Sequence, residues 1–168
     1  HREISKAKEA ASRQLMFEIV PEKIVLHDVF DGSTVNPHEK DDLFIRKLKI
    51  RNGLHLIKEE VDACLSFLAE MDQAFAGDVY VVQSNHDDFL DRHINNYDWR
   101  KDLHNSEGYL EYALVQQSAD LRKHGNIFGC LIDRATAGKV RYVKASEPLK
   151  VDGYQCGYHG DKGINGAR

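Results

Sequence analysis

The sequence predicts an α/β fold in which mixed β-sheets are sandwiched by helices. Two observations carry this prediction. Apolar residues at helical spacing alternate with short β-branched runs over the first two thirds of the chain, and several strand-like runs fill the remainder. Helices that alternate with strands cover both faces of a sheet, and a strand-rich end extends it.

The first elements are a helix, a strand and a loop. Residues 4–19 carry apolar side chains at helical spacing, and Pro21 ends that pattern. Residues 23–27 form a short apolar run typical of a buried strand. Residues 28–37 are rich in turn formers and are predicted to be a loop.

Longer helical patterns follow. Residues 39–75 are predicted to be helical with an interruption at Asn52-Gly53, and Gly77 precedes a β-branched strand over 78–83. Helices are then predicted over 88–94 and 109–123, the second ending before a glycine. The remaining predicted strands span 126–132, 139–144 and 151–158.

Composition and charge limit the classes of function. The chain has 168 residues, enough for one domain core, and a net charge of −4. That charge argues against a protein that coats DNA, although a nuclease can draw local positive charge from metal ions. No run is long enough for a membrane span, so we expect no membrane association. Cys64, Cys130 and Cys156 are widely spaced, which is typical of reduced thiols and indicates a cytoplasmic protein.

Three polar motifs follow predicted strands and are the strongest functional signal. His27-Asp28 follows one strand, Ser84-Asn85-His86-Asp87 follows the next, and His159-Gly160 follows the last. Strands that deliver ligands from their carboxyl ends are one way in which an α/β fold builds a metal site that cleaves phosphate esters. The motifs therefore favour a metal-dependent phosphoesterase.

Four side chains in these motifs have chemistry suited to such a site. The Asp28 carboxylate can bridge two cations, and the Asn85 amide oxygen can bind one. His86 can act as a general acid, because imidazole exchanges protons near neutral pH, and Asp87 can accept a hydrogen bond from its ring. Structural explanations are also open: Asp28 as a cap or turn former, residues 84–88 as a turn, and His159, between glycines, as a loop residue.

The order of the motifs resembles the calcineurin-like metallophosphoesterase superfamily. His27-Asp28 is similar to that family's Gly-Asp motif, Ser84-Asn85-His86-Asp87 to its Gly-Asn-His-Asp/Glu motif, and Tyr158-His159-Gly160 to its His-Gly motif. His1 lies 27 residues before Asp28, close to the spacing of the family's first-motif histidine. The first-motif Asp and the final Gly-His-x-His are absent. The resemblance therefore implies one metallophosphoesterase domain over 1–168, truncated at both ends.

The resemblance implies an αββα fold and hydrolysis with two divalent metal ions. His1 and Asp28 would bind one metal, and Asp28 would bridge to a second metal held by Asn85 and His159. A hydroxide activated by both metals would attack phosphorus, and His86 would protonate the departing oxygen. Mn²⁺ is the favoured metal, with Fe, Zn and Mg as alternatives.

The segment after the third motif indicates a substrate. An arginine at the position of Arg92 is similar to phage-encoded, nuclease-like members of the family, so DNA is the expected substrate. Arg92 would contact a phosphate or form a surface salt bridge, and His38, on the loop after the first strand, would touch substrate. Protein partners or a homo-oligomer are also compatible with the sequence.

Three other functions stay open at this stage. A nucleotide or protein phosphatase would use the same site, and a non-catalytic protein would use the same scaffold for partner binding. An HD-type phosphohydrolase would also contain His-Asp dyads, as at His27-Asp28 and His86-Asp87. Such a fold carries its dyads on helices, however, whereas these follow predicted strands.

Overall fold

The computed structural model describes residues 10–11, 14–16, 18–39 and 41–158 of the chain. Short 3₁₀ helices span Ser33–Val35, Trp99–Lys101 and Leu103–Asn105. The helices are α1 (Leu43–Arg51), α2 (Ile57–Ala74), α3 (Asp88–Asn96), α4 (Ser106–Gln116), α5 (Asp120–His124) and α6 (Ile127–Ala135). The strands are β1 (Lys23–His27), β2 (Asp78–Val82), β3 (Arg141–Val143), β4 (Lys150–Val151) and β5 (Tyr154–Gln155).

Three strands form a parallel sheet in the order β1-β2-β3. The ladder pairs His27 with Val82, and Val82 in turn with Val143, so the three strands end at one edge. The predicted α/β class is confirmed. Within the described residues this sheet is wholly parallel rather than mixed, and β4 and β5 form a separate antiparallel pair. The second sheet of an αββα arrangement stays a prediction.

The two faces of the sheet bury different layers of the core. Val79 and Val81 of β2 face the main core, whereas Tyr80 and Val82 lie against a smaller cluster that includes Leu149. This alternation follows from the two-residue period of a strand. Helix α6 is central to the main core, because it contacts α2, α3, α4, α5 and β3. Both faces of the sheet are therefore packed against core residues close to the edge at which the strands end.

The predicted strand over 126–132 is wrong, because this segment begins helix α6. The Asn126 side chain accepts a hydrogen bond from the Gly129 backbone N–H (2.9 Å), and Asp91 accepts one from the Ile127 N–H (3.1 Å). These bonds satisfy donors at the start of the helix. Residues 127–132 are all buried, so the segment shows no amphipathic period that would distinguish a helix from a buried strand.

Several predicted boundaries shift in the structure. The interruption at Asn52-Gly53 is confirmed, and residues 10–11, 14–16 and 18–19 are helical as predicted; the other residues of that first helix lie outside the described part. The single helix expected over 109–123 is two helices, α4 and α5, separated by a turn at 117–119. The strand expected over 151–158 is a short hairpin, because Asp152 and Gly153 both have positive φ (51° and 87°), as a tight two-residue turn requires.

Candidate functional site

The carboxyl ends of β1 and β2 bring two of the predicted motifs to one edge of the sheet. The strands are parallel and paired along their length, so Asp28 leaves β1 beside the point where the Ser84–Asp87 turn leaves β2. The Gln83 backbone N–H donates to the Val143 carbonyl oxygen (2.9 Å), which joins this turn to the end of β3. Motifs 57 residues apart in sequence therefore share one edge.

Asp28 turns the chain sharply as it leaves β1. Its backbone is left-handed (φ 52°), and its side chain is exposed. Aspartate occupies this region more readily than most residues. The Cys64 thiol donates to the Val29 carbonyl oxygen (Sγ–O 3.3 Å), and burial raises the pKa of that thiol to about 12, so it stays a donor at neutral pH. Helix α2 therefore fixes the chain next to Asp28.

The loop that follows Asp28 is held by a carboxylate from α2. Glu60 accepts hydrogen bonds from the backbone N–H of Ser33 (2.9 Å) and of Thr34 (2.9 Å), and from both hydroxyls. Lys49 of α1 donates to the Ser33 carbonyl oxygen and pairs with Glu39. Four donors on one carboxylate make this loop a rigid part of the site.

Asp87 anchors the turn after β2. It is 1% exposed and accepts hydrogen bonds from the Ser84 backbone N–H (3.0 Å), the Ser84 hydroxyl (3.1 Å) and the Tyr142 hydroxyl (2.8 Å). Burial raises the pKa of Asp87 to about 6, and these hydrogen bonds act in the opposite direction. Burial and the nearby Asp87 carboxylate also raise the pKa of Tyr142, which therefore stays protonated and donates.

The carboxylate beside the His86 ring is Asp31, not Asp87. Asp31 Oδ1 lies 3.9 Å from His86 Nδ1, which is buried and makes no hydrogen bond within the described residues. The His86 ring packs against Phe89, with ring centroids 5.0 Å apart. The expected hydrogen bond from His86 to Asp87 is therefore corrected: the acceptors of Asp87 are directed to Ser84 and Tyr142, because both lie on the buried side of the turn.

Gly32 allows this approach of the loop to His86. It has φ 64°, and a Cβ at this position would lie 2.8 Å from the Phe89 ring and 3.5 Å from the His86 carbonyl oxygen. Only glycine accommodates both the backbone angle and the close contact. The loop after β1 and the turn after β2 are thus packed into one unit.

Two residues that support this unit from outside it, Tyr142 of β3 and Asn126 at the start of α6, were not predicted from the sequence. The Asn126 amide donates to the Tyr142 hydroxyl (2.8 Å), and a Cβ at Gly129 would lie 2.6 Å from the Tyr142 ring. Helix α6 can therefore pack directly on β3 and support the hydroxyl that binds Asp87. A tyrosine at a buried strand position is a signal for such a partner, because a buried hydroxyl needs a hydrogen bond.

The predicted metal ligands are only partly within the described residues. His1 and His159 lie outside them, and among the described residues no three His, Cys, Asp or Glu side chains gather closely enough to hold a metal ion. Asp28 and Asn85 follow adjacent parallel strands and offer oxygen donors, which suit hard divalent cations. Asp28 and Asn85 are two of the four predicted ligands, and the ligand set stays a prediction.

The predicted substrate-binding residues lie on either side of this unit. Arg92, on α3, is exposed, and its guanidinium lies 5.8 Å from the centroid of the Phe89 ring that packs on His86. His38 is also exposed and lies in a turn, where its backbone N–H donates to Asn36 Oδ1 (3.0 Å). Arg92 therefore borders the His86 side, whereas His38 lies further along the loop after β1.

Comparisons with known proteins show similarity to a phage protein. The chain is 28% identical over 156 residues to Protein A1 of Escherichia phage T5, an alignment that covers 88% of this chain and 28% of the phage protein. The chain thus spans little more than a quarter of that relative. No protein-family model matches the chain, and no solved structure matches it with statistical significance. Within the described residues, the helices lack the length and apolarity that a membrane crossing needs.

Proposed function

We propose that this chain forms part of a metal-dependent phosphodiesterase whose substrate is DNA. One observation carries the proposal. Asp28 and the Asn85-His86 pair leave neighbouring parallel strands at the same edge of the sheet, with Arg92 beside them on α3. This edge is the usual place for a ligand in an open parallel sheet. The similarity to a phage protein is compatible with a phage origin for this function.

His86 is the proposed proton donor to the leaving oxygen. Its Nδ1 atom is buried near Asp31, which leaves Nε2 as the ring nitrogen that can reach a substrate. The ring is held from one side by Phe89, and the turn that carries it is fixed through Asp87. A proton donor held in this way loses little freedom when it acts.

Two divalent cations, with Mn²⁺ favoured, would acidify a water molecule and neutralise phosphate charge when bound. Asp28 and Asn85 would contribute to holding them, together with His1 and His159. The Glu60 clamp on Ser33 and Thr34 keeps the loop after Asp28 in place. Arg92 would bind a neighbouring phosphate of the DNA strand.

The test is Mn²⁺-dependent cleavage of single- and double-stranded DNA by the full-length protein, beside a His86→Ala variant. A general acid contributes roughly 10²–10⁴-fold, so we expect a loss of that size on DNA. On a nitrophenyl phosphodiester, whose leaving group needs no proton, the same variant should lose less than about tenfold. Excess EDTA should abolish both activities.

The pattern of losses separates the alternatives. Equal losses on both substrates would remove His86 from the role of proton donor. Turnover of the nitrophenyl ester without DNA cleavage would favour a phosphatase or small-molecule diesterase. Absence of both activities, with metal bound, would favour a partner-binding scaffold. The HD-type alternative lacks support, because His27 ends strand β1, Asp28 follows it, and His86-Asp87 lie in the turn after β2, so neither dyad lies on a helix.

A further inference from the structure

A cavity lies near the end of helix α3 that is farther from His86. Its volume is about 390 Å³, and its walls come from the loop after β1, from α1 and from residues 93–104. A cavity of this size is within the range of small-ligand sites. Helix α3 begins at Asp88, two residues after His86, and rises by about 7.5 Å from Asp88 to His93, at roughly 1.5 Å per residue. A short strand bound beside His86 can therefore extend to this cavity.

The walls of this cavity carry more positive than negative charge. Two carboxylates, Glu39 and Asp102, are outnumbered by four cations: Arg46, Lys49, Arg100 and Lys101. Lys49 pairs with Glu39, and Arg100 pairs with Asp98 (2.8 Å). Arg46 and Lys101 form no ion pair with a carboxylate of the described residues, and the Arg46 guanidinium donates to the Tyr97 hydroxyl (3.4 Å) at the cavity wall. Arg46 is thus left to bind an anion from outside.

One wall is aromatic. The rings of His93 and Tyr97 stack with centroids 4.8 Å apart, and Tyr109 packs edge-on against His93. Burial lowers the pKa of His93 to about 4, so this stack is uncharged at neutral pH. His55, also in the wall, has a buried Nδ1 atom without a hydrogen-bond partner in the described part of the chain. Neutral stacked rings beside cations and an unpartnered polar atom fit an anion that also carries a flat ring.

We propose that this cavity binds one nucleotide of a single-stranded nucleic acid, with the phosphate at Arg46 and the base against Tyr97. A base stacked on an aromatic ring contributes about 1–3 kcal/mol, and an arginine can bind phosphate with two parallel donors. An acidic peptide would use the cations but not the rings. The inference rests on the proposed function for the class of substrate, but binding here needs neither metal nor His86.

The experiment is a fluorescence-anisotropy titration of the full-length protein with a 5′-labelled octathymidylate, in EDTA so that no cleavage occurs. We expect Arg46→Gln and Tyr97→Leu each to weaken binding by about tenfold, and Tyr97→Phe to stay within about threefold of wild type. The matched control is Arg141→Gln, which removes the same charge from an exposed strand position outside the cavity. It should change binding by less than about twofold. Thermal melts identify any variant that is unfolded. Comparing Tyr97→Phe, which keeps the ring, with Tyr97→Leu, which removes it, isolates the contribution of the ring to binding.

The outcomes are decisive in either direction. Equal losses of affinity in Arg46→Gln and Arg141→Gln would overturn the proposal, because they would show that the oligonucleotide is attracted by the overall charge of the protein and not by this cavity. It would also be overturned if Tyr97→Leu bound normally and inorganic phosphate competed as well as thymidine monophosphate. If the wild type binds the oligonucleotide but shows no Mn²⁺-dependent cleavage, the proposed function alone is refuted. If Arg46→Gln and Tyr97→Leu both cleave and bind DNA as the wild type does, this inference alone is refuted.

Discussion

Replacing Asp87 with Asn should remove one pH-dependent part of the free energy of unfolding. Burial raises the pKa of the Asp87 carboxyl from its ordinary 3.8 to about 6, against the hydrogen bonds from Tyr142 and Ser84. The folded protein therefore binds this proton more tightly than the unfolded chain does. The stability that the proton contributes is fully present below pH ~3.8 and is lost as the pH rises through about 6.

The magnitude follows from these two pKa values. At ~1.4 kcal/mol for each pH unit, the whole effect is ~3 kcal/mol. About 2 kcal/mol of it falls between pH 4.5 and pH 7, a range in which the unfolded carboxyl is already mostly ionised while the folded one is still losing its proton. The Asp87 side chain is 1% exposed, so solvent screens this effect little.

Urea unfolding of wild type and Asp87→Asn, followed by circular dichroism from pH 4.5 to pH 7.5, measures this effect. The difference between the two free energies isolates position 87, because every other titrating group is shared. We expect the variant to gain ~2 kcal/mol on wild type as the pH rises. A flat difference, or a wild type that gains on the variant, would refute the reasoning, because hydrogen bonds from Ser84 and Tyr142 would then outweigh burial.

Three further substitutions test the loop, the turn and the strand end. Glu60→Gln should cost ~1–3 kcal/mol of stability and speed amide exchange at Ser33 and Thr34, because one carboxylate oxygen is lost as an acceptor; unchanged exchange would contradict the clamp. Tyr142→Phe should cost ~1–3 kcal/mol in urea unfolding, since a buried acceptor loses its donor, and an unchanged midpoint would argue against that bond. Asp28→Asn should stay within ~0.5 kcal/mol of wild type, whereas Asp28→Ala should lose ~1 kcal/mol, because alanine resists left-handed backbone; equal stabilities would show that the backbone relaxes.

Local patterns predicted the three strands of the parallel sheet but not every helix. The run over 23–27 was recognised because a proline and a group of turn formers bound it, and the structure confirms it as β1. No residue next to the run over 126–132 distinguishes a strand from a helix. Its helical state depends on Asn126 and on Asp91, which caps it from another helix. A contact from 36 residues away leaves no local signal.

The same limit applies to the candidate site. The positions of Asp28 and Asn85 followed from the strands that precede them. The partner of His86 did not, because Asp31 reaches it through the turn at Gly32 and the clamp from Glu60. Sequence proximity favoured Asp87 as that partner, and burial turned Asp87 inward instead.

Position 28 has to meet two separate requirements, one from its left-handed backbone and one from the proposed chemistry. The chain needs a residue that tolerates this conformation, and the proposed chemistry needs a carboxylate. Among related sequences, glycine or asparagine at this position would keep the turn and change the carboxylate alone. A valine or isoleucine at position 28 would indicate a different loop conformation, because β-branched residues disfavour left-handed backbone. Under the proposed function, a relative with glycine at this position, and with the Glu60 clamp and Gly32 retained, is expected to keep this loop and to lose the metal-dependent activity.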